Sequence, residues 1–113
     1  MPHCTIEYSK PLEAHIKPIE LCNVVHKAAL ASDNFSEADI KVRAKSYDDY
    51  LVGGNSKDFI HVIVYLLDGR SEETKKTLTS MILEVLESLN LPVQCLSVDA
   101  RDTLRSVYSK VQS

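Results

Sequence analysis

Tryptophan is absent from this 113-residue chain, and glycine, cysteine and methionine number only 3, 3 and 2. Aromatic residues make up 6% of the sequence, too few for the aromatic strands on which nucleobases stack. The formal charge of −3 provides no broad basic field, so nucleic acid is excluded as a partner. No apolar run approaches the length of about 18 residues needed to cross a bilayer, which excludes a membrane protein. The amino terminus also lacks the cationic and apolar regions of a secretion signal, and a cytoplasmic location is expected. The cysteines Cys4, Cys22 and Cys95 are odd in number and form no C-x-x-C pair. A zinc site and a closed disulfide framework are therefore excluded, and buried thiols are expected. There is no G-x-S-x-G, no phosphate-binding loop, no G-x-G-x-x-G and no H-E-x-x-H. The histidines, His3, His15, His26 and His61, are scattered with no metal-ligand spacing.

What remains reads as one soluble domain over residues 1–113, with 44% hydrophobic and 26% charged residues. Pro2 to Ser9 alternates as a strand, with Cys4, Ile6 and Tyr8 on one face and His3, Thr5 and Glu7 on the other. Pro18 suits the first turn of a helix whose stripe of Leu21, Val24, Val25 and Ala28 ends near Ala31. Ile40 to Tyr47 alternates again, placing Lys41, Arg43 and Lys45 on one face. Gly53-Gly54-Asn55 marks a turn, with a short extended piece at Tyr50 to Val52. Phe59 to Leu67 is apolar at nearly every position, as in a strand buried on both faces. Ser71 is a good N-cap, and Leu78, Met81, Ile82, Val85, Leu86 and Leu89 form the clearest helical stripe. Val93 to Ala100 reads as a final strand, while Arg101 to Ser113 has no assigned form.

This order predicts an α/β fold: two right-handed βαβ units giving a four-stranded sheet with two helices on one face. Two helices cover one side only. Ile60, Val62, Val64 and Leu66 compete with Phe59, Ile63, Tyr65 and Leu67 for that cover, and the losing set is left as an apolar patch. Oligomerisation is the expected remedy.

Among residues that could carry chemistry, the amino terminus stands apart. Methionine aminopeptidase removes Met1 when the next residue is small, leaving Pro2 with a secondary amine. Burial and nearby cations lower an amine's pKa toward the range where it serves as a base at neutral pH. The available cations are Lys41, Arg43 and Arg70.

Met1-Pro2-His3 followed by Ile6-Glu7-Tyr8-Ser9 resembles the start of the 5-carboxymethyl-2-hydroxymuconate isomerase family, within the tautomerase superfamily. The resemblance continues through Ile40-Lys41-Val42-Arg43, His61-Val62 and Gly69-Arg70-Ser71. It implies a homotrimer of tautomerase-like subunits with no metal or organic cofactor. It also implies a 1,3-keto–enol shift on a small anionic substrate of homoprotocatechuate degradation, with mature Pro2 as base and then acid. On this resemblance Arg70 binds a substrate carboxylate or the 2-oxygen. Lys41 stands where the family prefers arginine, keeping the charge but losing the planar fork. Arg43, on the same face, can compensate.

Each assignment has a plainer counterpart. Arg70 can be a solvated turn residue, Lys41 and Arg43 a solvated strand face, and Glu7 an orienting group or subunit bridge. Tyr47 and Tyr50 can line the site or pack at a rim. Other proline chemistry on the same fold, such as phenylenolpyruvate tautomerisation or hydration, is an alternative. So is a non-catalytic ligand-binding or assembly module.

Overall fold

The computed structural model describes every residue from Met1 to Ser113. Its strands are β1 (His3–Ser9), β2 (Lys41–Tyr47), β3 (Phe59–Leu67) and β4 (Cys95–Thr103). Helix α1 (Pro18–Ala31) joins β1 to β2, and α2 (Glu72–Ser88) joins β3 to β4. The sheet order is β2-β1-β3-β4. β1 runs parallel to β2, and β3 runs parallel to β4. The two βαβ units meet where β1 and β3 pair antiparallel.

One cluster unites Cys4, Ile6 and Tyr8 with Val62 and Val64 from the sheet, and with Leu21, Val25, Leu78, Ile82 and Leu86 from the helices. Both helices therefore lie on the same face. Their apolar stripes form the core, each large side chain contributing about 1.5–3 kcal/mol by leaving water. Proline opens α1. Ser71 caps α2 by accepting from the Thr74 amide at 3.1 Å. Before that cap Gly69 turns with φ +113, a conformation that a side chain resists.

Three expectations need correction. β3 is not buried on both faces: Ile60, Val62, Val64 and Leu66 are fully buried, while Phe59, Ile63, Tyr65 and Leu67 are half-buried. Only one face has helical cover. Cys4 is buried, but Cys22 is intermediate and Cys95 is exposed. Cys95 opens an edge strand, where one side has no neighbour. β4 begins and ends later than Val93 to Ala100, because its pairing with β3 extends to Leu67 opposite Thr103. The carboxy-terminal residues, to which the sequence assigns no form, pack back onto the sheet. A single helical turn at Arg105–Val107 leads into a segment that returns to β1 and β2.

Candidate active site

Pro2 immediately precedes β1, and its side chain is under 2% exposed. Its carbonyl accepts a hydrogen bond from the Lys41 amide at 3.1 Å, tying the amino terminus to the start of β2. Register then fixes the neighbours. Lys41 lies opposite His3, and His3 lies opposite Tyr65. β3 runs against β1, so the turn after Leu67 returns to the same end of the sheet and delivers Arg70.

Arg70 is held rather than free. Its guanidinium stands 4.9 Å from the centre of the Phe35 ring and donates to the Asn34 carbonyl at 3.0 Å. Lys41 donates to the Asp39 carbonyl at 2.8 Å and to Gln112 Oε1 at 3.4 Å. Neither acceptor carries a charge, so the ammonium keeps its field. Arg43 donates to His3 Nδ1 at 3.1 Å. A guanidinium can only donate, so Nδ1 accepts and the imidazole proton sits on Nε2, facing Tyr108 Oη at 3.0 Å.

Electrostatics follow from this crowding. Burial lowers the pKa of the amino-terminal amine, and Lys41, Lys110 and Arg70 push it the same way against Asp39. His3 is also lowered, first by burial and then by Arg43, Lys41, the amino terminus and Lys110. Met1 is present, so the titrating amine is that of Met1 and the Pro2 nitrogen is a peptide nitrogen. Removing Met1 transfers the amine to Pro2, one residue closer to the core. Cys4 is no rival nucleophile, since burial pushes its thiol up to about 11.

The structure thus brings Pro2, Lys41 and Arg70 to one end of the sheet, with Arg43 one step along the same face. Glu7 lies toward the far end of β1, where it accepts from Tyr47 at 2.5 Å, and it lines a recess with Thr5 and Arg43. Tyr50 donates to Asp58 at 2.9 Å in that same region. His61 is satisfied by Ser97 at 2.6 Å. No group of three His, Cys, Asp or Glu side chains converges anywhere in the chain. The most apolar recess, between Val24, Ala28, Met81, Val85 and Leu89, is lined by residues of α1 and of the end of α2 and does not include Pro2, Lys41 or Arg70. No helix is long and apolar enough to cross a membrane.

Sequence reasoning missed Asp39, Tyr108 and Lys110. Lys110 meets Asp39 at 3.4 Å across a separation of 71 residues, and no local pattern announces such a contact.

Comparison with known proteins follows the same lines. The sequence model of the 5-carboxymethyl-2-hydroxymuconate isomerase family matches residues 2–96. The chain belongs to this family. It is an isomerase of the tautomerase type. A 5-carboxymethyl-2-hydroxymuconate isomerase from Deinococcus radiodurans R1 is similar in structure, with a TM-score of 0.84 and 28% identity. The match covers 99% of this chain and 90% of that one. A 5-carboxymethyl-2-hydroxymuconate delta-isomerase shares the fold at a TM-score of 0.78 and 20% identity, over 100% of this chain and 89% of its own. A wild-type fused 4-OT that forms a symmetric trimer also shares it, at a TM-score of 0.79 and 18% identity. That match covers 96% of this chain and 91% of that one. A search of curated protein sequences finds no match.

Proposed function

We propose that this isomerase catalyses the keto–enol shift of 5-carboxymethyl-2-hydroxymuconate or a similar unsaturated 2-hydroxy di- or tricarboxylate. The base is the secondary amine of Pro2 after loss of Met1. It takes the proton of the 2-hydroxyl, electrons move through the diene, and the resulting ammonium returns the proton at C5. The product is a 2-oxo-3-ene, and the amine is regenerated. Protons and electrons balance without a metal or organic cofactor.

The observation that supports this reading is the field at the amino terminus. An amine catalyses as a base only where a substantial fraction is unprotonated. Burial together with Lys41, Lys110 and Arg70 acts in that direction. The same cations favour the negative charge that develops on the 2-oxygen between the two transfers. We assign Arg70 to a substrate carboxylate or the 2-oxygen, because Phe35 and Asn34 hold its fork in place while leaving other N–H groups to donate. Lys41 and Arg43 are assigned to the remaining carboxylate.

We further place the 113-residue chain as a single domain in a homotrimer. Half-buried Phe59, Ile63, Tyr65 and Leu67 lie on the face without helices. Leu104 and Val107 are 62% and 74% exposed, a cost that burial between subunits removes. A fused 4-OT of the same fold forms a symmetric trimer, which supports this reading.

Ultraviolet assay of 2-hydroxymuconate ketonisation by the processed protein tests the base. Pro2→Ala should lose activity by about 10²–10⁴-fold, the usual contribution of general acid–base catalysis. Equal rates would remove Pro2 from the mechanism.

A further inference from the structure

We propose that Lys110, carried on the carboxy-terminal segment, is a specificity-determining residue that joins Lys41 in binding the second carboxylate of a dicarboxylate substrate beside the amino terminus. The inference rests on the reading of that region as the substrate site.

The segment is fixed at three places. Arg105 donates to the Asp68 carbonyl at 2.9 Å, anchoring its start at the β3–α2 turn next to Arg70. Tyr108 stands on His3. Gln112 donates to the Ala38 carbonyl at 2.8 Å, anchoring its end before β2. Lys110 lies between the last two anchors. Its ammonium is 3.4 Å from the Asp39 carboxylate, while Lys41 binds the backbone carbonyl of the same residue. The two ammonium groups are thus gathered around one short stretch of chain.

Charge distribution points to an anion. The protein as a whole carries −3. Yet the leading charges acting on its amino terminus and on His3 are the cations Lys41, Arg43, Arg70 and Lys110, with Asp39 opposing them. A local cationic cluster in an acidic protein concentrates anions where it stands. The bond that Lys110 makes to Asp39 is long and its side chain is 34% exposed, so an incoming carboxylate can take the place of Asp39. An ammonium has three donors and serves several acceptors at once. The family match covers residues 2–96, and Lys110 lies outside it.

The test is calorimetric binding of adipate and hexanoate, unreactive acids with two carboxylates and one, to processed protein. Wild type should prefer adipate. Lys110→Met should weaken adipate about tenfold, the size of one charge-assisted contact, and leave hexanoate unchanged. Lys110→Arg should restore adipate binding. The proposal falls if Lys110→Met binds adipate as wild type does, if both acids weaken equally, or if wild type has no preference. Pro2→Ala separates this from the catalytic reading. Should that variant turn over 2-hydroxymuconate normally, the base assignment fails while the adipate result stands by itself.

Discussion

The phenol of Tyr108 stands 3.0 Å from Nε2 of His3, a contact spanning 105 residues of chain. Arg43 holds the other imidazole nitrogen at 3.1 Å. The ring is therefore clamped between β2 and the carboxy-terminal segment, one residue from Pro2. A segment with no local pattern becomes part of the site's wall through this contact.

Tyr108→Phe removes the clamp while keeping the ring and its edge contact with His3. Loss of one hydrogen bond should cost about 0.5–1.5 kcal/mol, read from urea denaturation midpoints. Amide exchange should quicken between residues 104 and 113 more than in β1. Uniform acceleration would mean that Tyr108 stabilises the whole fold instead of docking the segment.

Arg70→Lys keeps the charge but loses both the fork and the stacking on Phe35. We expect kcat/KM on 2-hydroxymuconate to fall about 10–100-fold, equivalent to about 1.5–3 kcal/mol for a hydrogen bond to a charged group. A variant with wild-type kinetics would make Arg70 a structural turn residue.

Much of this architecture was legible because it is local. The alternation of Cys4, Ile6 and Tyr8 with His3, Thr5 and Glu7 placed β1 on the core. The stripe from Leu78 to Leu89 and the Ser71 cap defined α2, with Leu78, Ile82 and Leu86 facing inward. β3 was read too generously, because a uniformly apolar run does not say which of its two faces meets a helix. A family resemblance gave Lys41 and Arg70 their roles; β-register sets Lys41 beside Pro2, and the turn after β3 delivers Arg70. Asp39, Tyr108 and Lys110 were invisible for a physical reason. Their contacts span 71 or 105 residues. Neither helix nor strand periodicity carries information over that distance.

Ser71→Ala tests the cap that follows Arg70. The serine oxygen accepts from the Thr74 amide at 3.1 Å, and its loss should cost about 1 kcal/mol of stability. Ser71→Asp keeps an acceptor and adds favourable charge at the helix start, so its denaturation midpoint should equal or exceed that of wild type. A destabilised aspartate variant would count against the cap.

Stability should also fall in mild acid because of His3. Its pKa in the folded state lies below the ordinary value of about 6.5, so the unfolded chain binds the proton more readily. The neutral ring's contribution is complete above that ordinary value. It is lost progressively as pH drops through the lower folded value. His3→Asn should flatten this part of the stability profile, measured by urea midpoints across pH. An unchanged slope would assign the acid sensitivity to other groups.

The charges around the amino terminus make the last expectation one of opposite signs. Catalysis requires the unprotonated amine, so kcat/KM should drop on the acid side as the mature Pro2 nitrogen takes up its proton. At the Met1 amine burial depresses the pKa first, then Lys41 and Lys110, while Asp39 raises it, and the same charges face the Pro2 nitrogen one residue on. Lys41→Met removes a repelling charge, stabilises the ammonium and should move the acid limb to higher pH. Asp39→Asn removes an attracting charge and should move the limb to lower pH. The same group cannot shift both ways through loss of substrate binding alone, since lost affinity scales the profile without relocating its midpoint. Limbs that coincide in wild type and both variants would show that the titrating group lies beyond the reach of Lys41 and Asp39, and the amine would cease to be the base.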